Sequence, residues 1–592
     1  MSWPRFSLGR WRTGIAIALT RFPLVILCGV IAAACGTVAN HWHENEAIVG
    51  QCERLALTAL LGIPLLFGLR ILRERTPRLR FIAESLGIAI LVAWFLAHSA
   101  RPNDEPLIVF IRWALVFAAL NFFASLSPYL RRAPELGFWP WDFYLGFRFC
   151  LTTLYAAILT GGLEIALWSA DQLFELHLDH SFLDLWLFLA GVFWPIFFLS
   201  DVPADFPVLE TNLDYPRWLK IFTQSALAPL IFVYAAILYT YAIKIMAQRA
   251  WPHGWVALPV LILSSVGIFA ALLLHPLQDL PNEKWARIFL RIFPPALGPL
   301  AVLLFMAVHK RIADYGVTED RYFGLLASVC IFIWSLVFTF RRHADIRWIS
   351  AALAILCLTC AYGPWSAGAV SQRSQLHRLV AILQEHHLWS GNAAQAAAEP
   401  LNLSAQDNER LRSSLVYLLR MHGSDSLRPF FAKVLDPAKL NSANDASGII
   451  DALHIATKTP VRSLSSTPDS KMSHRDQTTA LPIDGYRRLW QVTLLGGDSG
   501  KWMPKQFGNV SIGQTDGKIE VVGVGETTPQ ILPLPQALIT AVENGSELQV
   551  EASTIDFKTG QHSYRLVFDN VQLKNWPSGP RISHCTFVLL EK

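Results

Sequence analysis

Eleven separate apolar stretches, each close to the length that crosses a lipid bilayer, occupy most of residues 1–366 of this chain. An α-helix rises about 1.5 Å per residue, so about 20 residues are needed to cross about 30 Å of hydrocarbon. The stretches lie at residues 22–38, 55–72, 81–97, 107–126, 149–170, 182–199, 226–245, 255–274, 292–308, 324–340 and 349–365. The chain is therefore predicted to be a polytopic α-helical membrane bundle with about eleven transmembrane helices.

The composition agrees with this class and argues against a nucleic-acid partner. Hydrophobic residues make up 53% of the 592 residues and charged residues 16%, well below the roughly 25% that is usual in soluble proteins. The formal net charge of +5 is small, and the basic residues lie beside apolar stretches instead of forming one patch. The lipid bilayer is the predicted partner. We expect no nucleic acid and no cofactor, because no nucleotide-binding or catalytic signature is present.

The positions of the basic residues predict the orientation of the helices. The connection after the second stretch holds five arginines, which are Arg70, Arg73, Arg75, Arg78 and Arg80. Connections on the cytoplasmic side carry such an excess of Arg and Lys. We therefore expect a multi-pass protein of the bacterial cytoplasmic (inner) membrane with a cytoplasmic N-terminus. An odd number of spans places the C-terminus outside the cytoplasm, whereas one missed or extra span would invert it.

The last part of the chain is polar and divides into three predicted segments. Residues 367–439 have helical periodicity and are predicted to form a helical neck. Residues 440–482 are rich in Ser, Thr, Asp and Lys and are predicted to be a flexible linker. Residues 483–592 alternate with a period of two, which predicts a small soluble antiparallel β or α+β domain. In that domain we expect a hairpin of residues 510–512 and 519–521 around Asp516-Gly517, strands at 548–551, 564–568 and 585–590, and a helix at 535–543.

Two ionisable residues lie inside apolar stretches, where a charge is costly unless it has a partner or a purpose. Arg112 in the fourth stretch and Glu164 in the fifth both lie about six residues from the predicted outer end of their helix. At that depth they could form a structural ion pair, or they could line a proton or substrate pathway. Arg21, before the first stretch, is predicted to be an interfacial residue whose side chain extends to the headgroups.

Two predicted outer loops contain histidines of the kind that bind zinc. These residues are His41 and His43 on one loop and His177 and His180 on the other. Their spacing is not that of a known zinc motif. We therefore expect solvated loops and no metal site, with these four residues as the weak candidates.

The ninth stretch contains Pro294, Pro295 and Pro299 with Gly298 between them. Proline removes a backbone donor from the helix ladder, so this stretch is predicted to kink or break. A kink would serve packing, whereas a broken helix could expose backbone groups to a substrate.

Several segments from residue 215 onward resemble the bacterial membrane-protein family called domain of unknown function DUF4153. The segments are 215–224, 311–322, 362–366 and 371–376, with a weaker likeness at 416–423. The resemblance covers residues 215–430, whereas the first five stretches match the family in hydropathy alone. It implies a multi-span inner-membrane protein followed by a soluble region, and it supplies no catalytic residue.

The connection between the ninth and tenth stretches is the strongest candidate for a functional segment. It concentrates charged and aromatic residues at a membrane surface, within a segment that carries the resemblance. The candidates are Arg311, Asp314, Tyr315, Glu319 and Arg321. The simpler interpretation is a loop whose charges anchor two helices at the interface.

The sequence is compatible with three functions. The first is a non-enzymatic envelope protein that displays a soluble C-terminal binding or sensory domain to a protein or small-molecule ligand. The alternative is a transporter or lipid-handling permease that uses Arg112 and Glu164. A membrane enzyme comes third, since no catalytic motif supports it.

Overall fold

A computed structural model describes residues 8–591 apart from a set of segments. These are 43–44, 77–81, 99–106, 131–136, 175, 177, 212–214, 249–256, 279, 281–282, 342–343, 392, 398–400, 402, 432–433, 435–444, 456–469, 475–487, 496–501, 508–509, 516–517, 524–529, 533–553, 560–561 and 577–578. The chain divides into two compact units. The first contains Met1–Glu399 and Gln406–His454, and the second contains Pro400–Ala405 and Ile455–Lys592.

The first unit is almost entirely helical. Its helices are α1 (Leu8–Arg21), α2 (Pro23–His41), α3 (Glu46–Arg75), α4 (Ala83–Ala97), α5 (Leu107–Leu126), α6 (Phe138–Phe174), α7 (Asp179–Phe188), α8 (Trp194–Leu199), α9 (Phe206–Thr211), α10 (Arg217–Phe222), α11 (Ala228–Gln248), α12 (Ala257–Leu274), α13 (Lys284–Tyr315), α14 (Glu319–Phe340), α15 (Arg347–Ala361), α16 (Ala367–Glu385), α17 (Ala405–His422), α18 (Arg428–Phe431) and α19 (Asp445–Ala452). Short π-helical turns, Leu189–Phe193 and Thr223–Leu227, join α7 to α8 and α10 to α11.

Each of the eleven predicted stretches contains a helix. Within the described part of the chain, nine helices are long and apolar enough to cross a membrane. The other two apolar helices, α4 and α15, have 15 residues each. The prediction of a multi-helix membrane protein is thus confirmed. The predicted number of eleven differs from nine because it includes these two short helices.

The arginines near the end of α3 are held by acidic side chains from other helices. Arg70 and Arg73 contact Glu84 of α4 at 3.2 and 2.8 Å, and Arg75 pairs with Glu210 of α9. We call the end of the bundle where these residues lie the basic end. The pairs connect the ends of three helices there, so these arginines contribute to packing.

The side chain of Arg21 binds other parts of the protein. Its guanidinium donates two hydrogen bonds to the carboxylate of Glu74, at 3.0 and 2.7 Å. It also donates to the carbonyl oxygens of Val202 and Pro203, and its side chain is 11% exposed. The interfacial position of Arg21 stays a prediction. These acceptors come from distant parts of the chain, which local hydropathy does not reveal.

Two glycines let α2 approach the π-helical turn after α7 closely. A Cβ atom added to Gly29 would lie 2.1 Å from the carbonyl oxygen of Gly191, and one added to Gly191 would lie 2.7 Å from the oxygen of Gly29. Both obstacles are backbone atoms. Small residues at such crossings allow the helix backbones to touch, which is a common source of association between membrane helices.

Helix α13 continues through its three prolines from Lys284 to Tyr315. Side chains of neighbouring helices bind carbonyl groups in the proline segment. The hydroxyl of Ser335 in α14 donates to the oxygen of Pro294 at 2.7 Å, and the hydroxyl of Tyr239 in α11 donates to the oxygen of Ala296. Of the two alternatives, a kink or a break, the continuous helix excludes the break, and the kink stays a prediction. Each proline leaves the carbonyl four residues before it without a backbone donor, which affects Leu290, Arg291 and Pro295. The two bonds from neighbouring helices therefore hold the segment at other carbonyls, beside the ones that the prolines leave free.

The second unit is built from antiparallel sheets. Its strands are β3 (Ser470–His474), β4 (Arg488–Leu495), β5 (Trp502–Phe507), β6 (Val510–Thr515), β7 (Lys518–Gly523), β8 (Gln530–Leu532), β9 (Thr554–Thr559), β10 (His562–Trp576) and β11 (Gly579–Glu591), whereas β1 (Trp389–Ser390) and β2 (Ala393–Ala394) belong to the first unit. One sheet has the order β3-β10-β11-β4 with β9 beside β10, and the other has the order β5-β6-β7-β8.

The predicted hairpin is present, since Thr515 pairs with Lys518 across the Asp516-Gly517 position. The predicted strands 564–568 and 585–590 lie within β10 and β11. The predicted strand 548–551 and helix 535–543 lie outside the described residues. Within the predicted linker 440–482, the structure contains α19 and β3. Strand β3 pairs with residues 570–574 of β10, a partner about 100 residues away that composition could not reveal.

Candidate functional site

Three residues connect α13 to α14, and the connection is tight. Helix α13 ends at Tyr315, and Gly316 follows with a φ of +74°, while its N–H donates to the oxygen of Ile312. This left-handed conformation favours glycine. Helix α14 then begins at Glu319. The predicted functional segment is thus a sharp turn between two long apolar helices.

Helix α16 packs behind this turn and binds its backbone. The hydroxyl of Ser374 accepts a hydrogen bond from the N–H of Val317 at 2.9 Å. The amide of Gln375, which is 4% exposed, donates to the oxygens of Tyr315 and Val317 at 3.3 and 3.0 Å. Side chains of α16 therefore replace water as partners of the turn.

Glu319 lies at the centre of a buried polar cluster, although it is a carboxylate at the first position of an apolar helix. Its Oε1 accepts a 2.5 Å hydrogen bond from Ser371 of α16, and its Oε2 accepts one from the hydroxyl of Tyr417 in α17. The Nε2 of His422, also in α17, lies 3.6 Å from Oε1 and 3.3 Å from the Ser371 hydroxyl. We call Glu319, Ser371, Tyr417 and His422 the Glu319 cluster.

Burial affects the protonation of Tyr417 and His422. Glu319 is 4% exposed and Ser371 is fully buried. Burial lowers the pKa of His422, the charge of Glu319 opposes this effect, and the charge of Arg112 adds to it. The pKa of Tyr417 is raised, mainly by burial and also by its hydrogen bond to Glu319. Tyr417 is thus a hydroxyl donor at neutral pH, and a charge on His422 is disfavoured.

The Glu319 cluster does not have the arrangement of a serine nucleophile. In a Ser-His-acid triad the acid binds the imidazole nitrogen opposite the one that faces the serine. Here Ser371 and Glu319 both approach Nε2 of His422. Ser371 also has no exposed surface. The chemistry of this arrangement is therefore that of a buried hydrogen-bonded joint between α14, α16 and α17.

The other predicted residues of this segment lie on its surface. The guanidinium of Arg321 donates to the oxygens of Tyr315 and Gly316 at 3.1 and 2.8 Å and lies 5.4 Å from the centre of the Tyr315 ring. It therefore binds the last carbonyls of α13, a place where a cation is favourable. Arg311 and Asp314 are exposed in the last turns of α13.

Arg112 and Glu164 are not brought together. Both are half-buried, on α5 and α6 respectively. Among the residues that the structure describes, no ion pair joins the two. Arg112 instead lies close enough to His422 to affect its pKa. The structure thus associates Arg112 with the Glu319 cluster and leaves Glu164 apart from it.

Two of the four candidate histidines meet between α2 and α7. The Nε2 of His41 lies 2.6 Å from Oδ2 of Asp184, and the ring centres of His41 and His180 are 5.1 Å apart. Asn40 donates to the same carboxylate at 3.1 Å. His43 and His177 lie outside the described residues. In the part of the chain that is described, no group of three or more His, Cys, Asp or Glu side chains could hold a metal ion.

Ser371, Tyr417 and His422 were not among the residues predicted from sequence. A signal for them existed, since Ser371 opens the 371–376 segment and the other two lie in the 416–423 segment, both of which carry the family resemblance. The structure brings these two segments into contact with Glu319, which lies in the 311–322 segment that also carries the resemblance. Sequence spacing could not reveal this meeting, because Ser371 and Tyr417 lie 52 and 98 residues from Glu319.

Comparison with known proteins agrees with this likeness and extends it. The family model described as domain of unknown function DUF4153 matches residues 30–399. The match begins within the first apolar stretch and includes the second to the fifth, so the family relationship of this part extends beyond the likeness in hydropathy. An uncharacterized protein of Pasteurella multocida (strain Pm70) is 25% identical over 357 residues, which are 58% of this chain and 56% of that protein. The chain thus spans about half the length of that relative. No solved structure matches.

Proposed function

The chain belongs to the DUF4153 family, and from its architecture we propose that it is a non-enzymatic, multi-pass protein of the bacterial cytoplasmic membrane. In this proposal the membrane bundle displays the β-rich C-terminal unit outside the cytoplasm, where that unit binds a protein or a small-molecule ligand. The Glu319 cluster is the observation that carries the proposal. It joins the membrane helix α14 to α16 and α17, which precede the C-terminal unit in the chain.

The side of the C-terminal unit depends on whether α4 and α15 cross the membrane. Helix α4 is about 22 Å long, somewhat shorter than the hydrocarbon core. Its Glu84 pairs with Arg70 near the end of α3, and its Phe95 oxygen accepts a hydrogen bond from Arg54 near the start of α3. The contacts at both ends support a helix that runs antiparallel to α3 across the bilayer.

Contacts at both ends also support a crossing by α15. Asp345, just before α15, lies near His275 at the end of α12. At the other end, the sulfur of Cys360 lies 3.7 Å from the hydroxyl of Tyr322 in the first turn of α14. With α4 and α15 included, the chain crosses eleven times.

The basic end then faces the cytoplasm, as the excess of arginine predicts, and the Glu319 cluster lies at the opposite end. Arg321 is basic yet would face outward. Its hydrogen bonds to the carbonyls of Tyr315 and Gly316 explain why a basic residue is present on the outer side. An odd number of crossings places residues after α17 outside the cytoplasm.

Paired reporters fused after Lys592 test this proposal, one active only outside the cytoplasm and the other fluorescent only inside it. We expect activity from the external reporter and no fluorescence from the internal one. The same pair fused before Met1 is the matched control and should give the opposite result. Fluorescence at Lys592 would mean an even number of crossings and would contradict display outside the cytoplasm.

A transporter or lipid-handling permease that uses Arg112 and Glu164 is the second candidate. The half-buried guanidinium of Arg112 inside α5 favours it. In that case Arg112→Ala should abolish flux of the substrate without preventing insertion. If the display proposal holds, the same variant should alter the stability of the neighbouring Glu319 cluster and leave membrane permeability unchanged.

A further inference from the structure

A cavity of about 470 Å³ lies at the basic end of the bundle, where α12 ends, α13 begins and α14 ends. It belongs to neither the Glu319 cluster nor the proposed display function. Four basic side chains line it, and these are His275, Lys284, Arg287 and Arg291. The volume is in the range of sites that hold small ligands.

The three cations that α13 contributes to the cavity are arranged along one strip of the helix. Lys284, Arg287 and Arg291 are separated by three and four residues, so they lie on the same face. All three are exposed. The strip extends about 10 Å along the helix axis. It therefore presents three cations along one side of the cavity.

Two acidic groups near the cavity, among the residues that the structure describes, have other partners. Glu283 pairs with Lys220 and accepts a 3.0 Å hydrogen bond from the indole of Trp285. Asp345 binds Arg347 at 2.6 Å. Within the described residues, Lys284 and Arg291 have no ion-pair partner. These two cations are therefore available to an anion in the cavity.

The length of α13 places this strip at the depth of lipid headgroups. The helix has 32 residues and is about 48 Å long, compared with about 30 Å of hydrocarbon. Residues 292–308 in its middle contain no charge. The first two turns, which carry the cations, therefore extend beyond the hydrocarbon into the headgroup layer.

The cavity also has an apolar wall, formed in part by Ile288 and Phe338. Ile288 is 55% exposed and Ile292, one turn further into the membrane, is 49% exposed. A ligand with a charged end and an apolar end would meet cations near the bundle end and exposed isoleucines toward the bilayer centre. Basic pockets between membrane helices bind anionic headgroups in this way.

We propose that this cavity binds a phosphate-bearing anion, and that the occupant is the headgroup of an anionic phospholipid. Lys284, Arg287 and Arg291 would contact the phosphate oxygens, and Ile288 would contact the start of an acyl chain. A free phosphate compound shares the charged half of this chemistry but gains nothing from the apolar wall. This difference separates the two sources experimentally.

The test uses the full chain in neutral detergent and measures its thermal midpoint as a short-chain phosphatidylglycerol is added. Parallel titrations use phosphatidylcholine with the same acyl chains and inorganic phosphate. The test variant is Arg287→Gln/Arg291→Gln. The matched control is Arg217→Gln/Arg341→Gln, which removes two exposed arginines from the same end of the bundle but outside the cavity. Arg287→Lys/Arg291→Lys keeps both positive charges. It shows whether a change in the glutamine variant comes from the lost charge or from impaired folding.

We expect phosphatidylglycerol to raise the midpoint of the wild-type chain and of the matched control, and phosphatidylcholine to have no such effect. The glutamine variant should need about thirtyfold more phosphatidylglycerol for the same rise, as loss of two cation contacts predicts, while the lysine variant should lie much closer to the wild type. A response to inorganic phosphate that depends on the same arginines would support the site with a free phosphate as its source. An equal response of the test variant and the matched control would overturn the proposal.

Discussion

The hydroxyl of Ser371 donates a 2.5 Å hydrogen bond to Oε1 of Glu319 and so connects α16 to the first residue of α14. Both residues are buried, at 0% and 4% exposure. A carboxylate in such a place is tolerated when each oxygen has a donor, and Tyr417 supplies the second. One carboxylate therefore connects α14 to both α16 and α17.

Replacing Glu319 by alanine should destabilise the chain by about 2 kcal/mol, because the hydroxyl of Tyr417 and the ring of His422 lose a buried partner. Ser371 retains the oxygen of Gly368 as an acceptor. Thermal unfolding in detergent measures the change. Asp320→Ala, which removes an exposed carboxylate from the next position, should behave like the wild type. Equal midpoints for the two variants would show that the cluster does not stabilise the fold.

The buried state of His422 predicts a loss of stability in acid. Burial lowers its pKa from the usual 6.5, with Glu319 opposing and Arg112 reinforcing the shift. The unfolded chain then binds more protons than the folded chain as the pH falls below 6.5, so folding becomes less favourable. The wild-type midpoint should fall between about pH 7.5 and about pH 5.5 by more than that of His422→Gln.

The control for this pH effect is His309→Gln, which removes an exposed histidine from α13. It should keep the wild-type dependence on pH. If His422→Gln and His309→Gln lose stability in acid to the same extent, some group other than His422 is responsible.

Gly29→Ala should impair the packing of α2, because the new methyl group would lie 2.1 Å from the carbonyl oxygen of Gly191. The obstacle is backbone, so the helices must separate, and overpacking of this kind costs about 1–3 kcal/mol. We expect a lower thermal midpoint and a lower yield of folded protein. Gly161→Ala is the matched control, since a Cβ there meets no atom within 4 Å. An unchanged midpoint for Gly29→Ala would contradict the close crossing.

Ser335→Ala should cost about 0.6 kcal/mol, which is typical of a hydrogen bond between membrane helices. The hydroxyl of Ser335 donates to the Pro294 oxygen at 2.7 Å and joins α14 to the proline segment of α13. Thr240→Val is a suitable comparison, because the hydroxyl of Thr240 binds only the Ala236 oxygen of its own helix at 2.8 Å. The two variants should differ in thermal midpoint, and a larger effect of Thr240→Val would argue against an interhelical role for Ser335.

Properties that depend on neighbouring residues in the chain were predicted well. Every apolar stretch contains a helix, because about 17 to 22 consecutive apolar residues satisfy their backbone inside a membrane most simply as a helix. The hairpin at Asp516-Gly517 follows from the short turn between two alternating strands. The choice between a kink and a break in α13 could not be made from sequence, because the groups that bind its proline segment, Ser335 and Tyr239, belong to other helices.

The sequence by itself determined that this is a membrane protein, where its helices lie and that a β-rich segment follows them. These properties arise from the length and period of local apolar patterns. The tertiary structure decided which polar side chains meet. It brought Glu319 to Ser371, Tyr417 and His422, separated Arg112 from Glu164, and paired Arg21 with Glu74. The physical reason is that a buried charge takes whichever donors the packing of distant helices supplies, and no local pattern encodes that packing.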